Sequence, residues 1–128
     1  MSTVPFTMPF TEHLGIAIES ADESGVVGTM EVTDNLCTTG KRLHGGAIMA
    51  FADSLGAIGA YLALPEGAKT TTTIESKTNF VGAAPRGSKV RGTTTAIHAG
   101  RRTSVWQTKI TDENGKLVAN VTQTQLVL

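Results

Sequence analysis

Residues 44–53 read HGGAIMAFAD, which puts His-Gly-Gly at the front of an apolar run reaching Leu64 and a single carboxylate, Asp53, in its middle. The first backbone N–H groups of a helix have no internal partner and sit at the positive end of the helix dipole, so glycines there let a substrate oxygen come close. Gly45 and Gly46, with His44 beside them, therefore carry the chemistry of an oxyanion hole. Asp53 carries the complementary half, a general base or a nucleophile. Its neighbours on one helical face are Gly46, Met49, Ala50, Gly56, Ala57 and Ala60; apart from Met49 all are Gly or Ala, and residues this small leave open volume for a ligand. The same pattern also describes close helix packing, with Asp53 bonded to backbone or to Ser54 and His44 serving as a packing residue.

Geometry adds a constraint. Gly45 and Asp53 are eight residues apart, roughly 12 Å along a helix axis. A base and an oxyanion donor must each lie about 3 Å from the same carbonyl, which one chain cannot arrange. Two antiparallel copies can, since the start of one helix then faces the middle of the other. A site of this kind is built between subunits, two per dimer.

The elements that must hold these residues follow from the rest of the chain. With 128 residues, the sequence has room for one core and is read as a single domain over 1–128. Eleven basic and eleven acidic side chains cancel, leaving no field for nucleic acid. Cys37 stands alone, so no internal disulfide forms, and the first residues lack a signal-peptide pattern; a reducing cytoplasm is the expectation. The run Gly45–Leu64 has the length of a membrane span, but Gly and Ala dilute it and Asp53 would be costly in lipid. A helix buried all round within protein, with no membrane, is expected instead.

Ahead of that helix, a short helical lead-in over 9–14 precedes a hairpin, with β-branched runs from Gly15 and over 26–33 flanking Asp22-Glu23-Ser24-Gly25. After it come four strands, at about 70–81, 88–99, 103–111 and 116–128. They are separated by Ala84-Pro85-Arg86-Gly87, Ala99-Gly100-Arg101-Arg102 and Asp112-Glu113-Asn114-Gly115, short turns that predict an antiparallel order. Ser104, Trp106, Thr108 and Ile110 share one face, Val105, Gln107 and Lys109 the other, so one face of the sheet is solvated and one receives the helix. The prediction is an α+β fold, an antiparallel sheet of about six strands curled around one long helix. One sheet cannot cover that helix on every side, so a second copy is expected on the remainder.

Taken together, HGGAIMAFAD, TTTTIESKTNFVGAAPRG, AGRRTSVW and DENGKLVANVTQTQ are similar to the hotdog-fold acyl-CoA thioesterases, specifically the phenylacetate-degradation type of the 4-hydroxybenzoyl-CoA thioesterase superfamily. The resemblance runs from about Thr11 to the C-terminus. It implies a sheet wrapped on one helix, homodimers that stack into tetramers, and hydrolysis of an acyl-CoA to a carboxylic acid and free CoA. Asp53 matches the family's acid, as base or nucleophile. The Gly45 N–H, with Gly46, matches the group polarising the carbonyl from the facing subunit, and His44 matches a supporting residue near the sulfur. Relatives carry Asn or Gln six residues before this His, where Thr38 stands; Asn35 is the alternative. Some relatives place a hydroxyl four residues after the acid, where this chain has Ala57; others take it from the next strand, where Thr73 matches.

For CoA, the resemblance points to the strand end with Phe80, Val81, Gly82 and Arg86, and to the turn with Gly100, Arg101, Arg102 and Thr103. Arg101 and Arg102 suit a bidentate phosphate contact, though a solvated turn reads the same way. Lys77, Arg91 and Lys109 are assigned to the wet face and Glu75 to a structural partner. No metal or cofactor is expected, CoA entering only as part of the substrate: His13, His44, His98 and Cys37 are scattered and no Gly-x-Ser-x-Gly elbow exists. A hotdog hydratase or dehydratase, pairing His44 with Asp53, and a noncatalytic acyl-CoA-binding module remain the alternatives.

Overall fold

A computed structural model describes residues 7–128. A lead-in helix α1 (Pro9–Leu14) is followed by the hairpin β1 (Ile16–Asp22) and β2 (Gly25–Glu31), a 3₁₀ turn Asp34–Leu36, and the long helix α2 (Gly45–Leu62). Then come β3 (Thr71–Phe80), β4 (Lys89–Ala99), β5 (Thr103–Thr111) and β6 (Leu117–Val127). The six strands make one sheet in the order β1-β2-β4-β5-β6-β3, with every neighbouring pair antiparallel. This is the hotdog architecture, one sheet on one helix.

Burial explains the packing. On β5, Ser104, Trp106, Thr108 and Ile110 are buried, as the alternation requires, and they face α2. From α2, Ile48, Phe51, Leu55 and Ile58 enter the same core. Fully burying side chains of this size contributes roughly 1.5–3 kcal/mol each, which holds the helix to the sheet. Two contacts are closer than a methyl group allows. A Cβ on Gly59 would stand 2.9 Å from the Trp106 ring, and one on Gly56 would overlap the amide of Gln123.

Three expectations change. The turn 84–87 does not join neighbours: β4 pairs with β2 and β3 with β6, so residues 81–88 cross the end of the sheet, tied by Leu43 N–H to Ala84 O at 2.9 Å. The helix α2 is not buried all round. It is long and apolar enough to cross a membrane, yet half of it is buried in the protein, while Gly46, Met49 and Tyr61 are exposed along one stripe with Ala50, Asp53 and Ala57 partly so. Glu75 is exposed and belongs to neither of the two ion pairs among the described residues, Arg86–Asp34 and Arg91–Glu19.

Candidate active site

The start of α2 is built by His44. Its backbone is extended, its Nδ1 accepts the Gly46 N–H at 2.8 Å, and its own N–H donates to Leu36 O at 2.8 Å. An imidazole accepting at Nδ1 carries its proton on Nε2, so the outward nitrogen is a donor. The Gly46 N–H, expected to meet a substrate oxygen, is instead spent on this cap. The Gly45 N–H finds no acceptor among the described residues. Gly45 sits beneath Phe80, whose ring would lie 3.1 Å from a Cβ at that position.

Of the two candidates for the substrate-orienting position, Asn35 lies with His44. Asn35, Leu36, Cys37, His44, Gly46, Ala47 and Ala50, with Phe10, His13 and Leu14 of α1, line a surface pocket of about 300 Å³. Thr38 is instead part of a tight loop, where its hydroxyl accepts the Gly40 N–H at 3.2 Å and Lys41 takes a positive φ of 59°.

Asp53 lies two turns further along α2, half-buried on the exposed stripe. Its Oδ1 accepts the Thr73 hydroxyl at 2.7 Å, across from β3. The neighbouring Ser54 points away, donating to Ala50 O at 2.8 Å, so Asp53 is held by the strand and not by its own helix. Thr73 can face the helix because β3 carries a bulge between Thr73 and Glu75. Before it, Thr71 and Thr73 point inward; after it, Ser76 and Thr78 do. Behind Thr73 stand two fully buried amides from β6, Gln123 and Gln125, which the sequence reading passed over. The alternation TQTQ in a strand placed them on one face, and buried polar side chains of that length require partners.

The segments expected to hold CoA lie at opposite ends of the sheet. Phe80 pairs with Ala119, whereas Thr103 pairs with Leu126, near Thr71. Phe80 and Val81 are exposed beside the helix start. Gly82 is packed against Leu117 O, and its N–H donates to Val118 O at 2.9 Å. Arg86 is committed to Asp34 at 2.8 Å, and that carboxylate raises its pKa above the ordinary guanidinium value. Arg101 and Arg102 are exposed on the other end, where the Gly100 N–H closes the turn on Thr103 O at 2.9 Å. Among the described residues no three His, Cys, Asp or Glu side chains cluster as metal ligands would.

The candidate residues thus fall into two groups: His44, Gly45, Asn35 and the Phe80 end, and Asp53, Thr73 and the Gly100–Thr103 end. Residues 40–119 match a family model described as the thioesterase superfamily. The chain is 34% identical over 115 residues to 1,4-dihydroxy-2-naphthoyl-CoA hydrolase of Escherichia coli, covering 90% of this chain and 83% of that protein. It is 33% identical over 105 residues to the proofreading thioesterase EntH of Cronobacter sakazakii, covering 82% and 75%. Among solved structures, a thioesterase from Haemophilus influenzae superposes with a TM-score of 0.86 at 32% identity, over 93% of this chain and 82% of that one. A mutant phenylacetic acid degradation protein PaaI from Thermus thermophilus gives 0.87 at 26%, over 94% and 100%.

Proposed function

The chain belongs to the thioesterase superfamily and is a thioester hydrolase, and from that premise we propose that it cleaves aromatic or short-to-medium acyl-CoA thioesters to a carboxylic acid and free CoA, in sites shared by two copies. The observation that carries this reading is the Asp53–Thr73 contact at 2.7 Å. It leaves Oδ2 for chemistry on the exposed stripe of α2.

In the proposed step the carbonyl oxygen of the thioester takes the free Gly45 N–H of one copy. Asp53 of the facing copy either removes a proton from water, whose oxygen adds to the carbonyl so that the C–S bond breaks and that proton passes to the departing thiolate, or attacks the carbonyl itself to expel the CoA thiolate, which takes a proton from solvent, and leaves an acyl–Asp53 anhydride that water opens to the carboxylic acid and the free carboxylate. His44, with its proton on Nε2, stands near the leaving sulfur, and Asn35 orients the carbonyl. The pocket beside His44 has an apolar wall of Phe10, Leu14, Leu36 and Ala50 and suits the acyl group. Pairing two chains antiparallel along the stripe and the free edge of β3 brings Phe80 and Val81 of one to the Arg101–Arg102 turn of the other, which suits the CoA arm. Dimers of this kind, further stacked as tetramers, and a cytoplasmic setting for a chain whose one cysteine is free, complete the proposal.

Asp53→Asn tests it, since the amide oxygen still accepts from Thr73 and the fold is kept. Thiol release should fall by about 10²–10⁴-fold. Near-native release overturns the assignment. Mixing Asp53→Asn with His44→Ala chains should restore roughly a quarter of wild-type sites, as random pairing makes half the dimers mixed and one of their two sites intact. No restoration places both halves in one chain.

A further inference from the structure

Resting on that reading, we propose that Gln125, with Gln123 behind it, is a positioning residue for Asp53, forcing the Thr73 hydroxyl to give its proton to the carboxylate and to nothing else. The hydrogen bonds form a closed clamp that leaves α2 at residue 52 and returns to it at residue 53. Gln123 Nε2 donates to Ala52 O at 3.0 Å. Gln125 Nε2 donates to Gln123 Oε1 at 2.6 Å and to Thr73 Oγ1 at 2.6 Å. Thr73 Oγ1 donates to Asp53 Oδ1 at 2.7 Å.

The direction of this chain of bonds has one origin. A backbone carbonyl only accepts, so Ala52 O fixes which end of the Gln123 amide faces the helix. That turns Gln123 Oε1 toward Gln125, which must answer with Nε2. Both Nε2 protons of Gln125 are then spent, one of them on a lone pair of Thr73 Oγ1. Thr71 Oγ1 lies 3.0 Å from both Gln125 Oε1 and Leu126 O and shares its one proton between them. With that lone pair filled, the Thr73 hydroxyl has its proton left for the carboxylate. Both glutamines are fully buried, so no water competes for their amides. Gly56 belongs to the device, because the Gln123 amide occupies the space a Cβ would fill.

The consequence for chemistry is that Asp53 Oδ1 is tethered and Oδ2 presented in one orientation. Gln125 touches no substrate and acts only through Thr73. The test is a double-mutant cycle of Gln125→Met and Thr73→Val, read as kcat and KM for thiol release from the best acyl-CoA, with thermal unfolding as control. Gln125→Met should lower kcat about tenfold, with KM within twofold of wild type, the size of one lost hydrogen bond toward a charged group. In the Thr73→Val background the same change should leave kcat within about twofold, because the link it acts through is gone. Equal losses in both backgrounds, or a change confined to KM, overturn the proposal. Where Met does not fold, Gln125→Glu keeps the shape but presents an acceptor to Thr73, and it should lower kcat by more than about tenfold relative to wild type; activity equal to wild type overturns the proposal. A wild-type protein that releases no thiol from any acyl-CoA overturns the thioesterase reading itself, whereas an active wild type with additive losses overturns only the clamp.

Discussion

Gly56→Ala sets two physical effects against each other with opposite signs. Gly56 lies inside α2, and replacing a mid-helix glycine by alanine favours the helix by roughly 0.8–1 kcal/mol. If propensity decides, the variant is more stable. The added methyl, however, overlaps the Gln123 amide, which is fully buried and bonded to Ala52 O and Gln125. A flexible side chain would normally swing aside, but here moving it gives up two hydrogen bonds worth about 1 kcal/mol each. Overpacking strain adds about 1 kcal/mol at the low end of its range. Set against the gain in propensity, the net loss is about 2 kcal/mol. For 128 residues the entropy of unfolding is on the order of 0.27 kcal/mol per kelvin, so Tm should drop by roughly 7 °C. Thermal unfolding by circular dichroism, with both proteins at one concentration so that assembly affects them equally, reads this directly. An unchanged or raised Tm refutes the reasoning and leaves Gly56 a simple helix weakness.

Further outcomes follow from single contacts. The Thr78 hydroxyl is buried without a partner among the described residues, so Thr78→Val should leave stability unchanged or raise it by up to about 1 kcal/mol in urea unfolding; a clear loss shows the hydroxyl was satisfied. Asp22 accepts from the Ser24 hydroxyl at 2.5 Å, the Ser24 N–H at 2.8 Å and the Gly25 N–H at 3.1 Å, and these bonds, the Ser24 hydroxyl first, lower its pKa. A carboxyl whose folded pKa is depressed stabilises the fold above its unfolded value and loses that contribution as pH falls through the folded one. The urea midpoint should therefore fall less with acidification in Asp22→Asn than in wild type; identical acid dependence of the two would show that the turn contributes nothing through this charge.

Much of the fold was legible because its signals are local. The Asn114-Gly115 turn, the apolar run after His44 and the alternation of Ser104, Trp106, Thr108 and Ile110 each express a period or a turn preference that a strand or helix must satisfy, and all lie where the sequence reading put them. Strand order was not legible. Nothing within Thr71–Phe80 says that β3 pairs with β6 and not with β4, because that choice depends on which edge the crossing segment 81–88 reaches. The site divides the same way. His44, Gly45 and Asp53 stood out by type and spacing, and Thr73 only through the family resemblance. Which of Asn35 and Thr38 lies beside His44 was not legible until the loop conformation put Asn35 there.

By itself, then, the sequence determined which residues are candidates for chemistry, since residue type and helical spacing are intrinsic to the chain, and it determined that a Gly45–Asp53 separation of eight residues exceeds the reach of one reacting carbonyl. Only the tertiary structure decided which N–H groups are free and which way Asp53 is held. The reason is that hydrogen bonds compete. Gly46 loses its donor to His44, and Thr73 is turned by Gln125, 52 residues away along the chain and 2.6 Å away in space. Competition of that kind is settled by packing, and packing brings together residues that no period in the sequence connects.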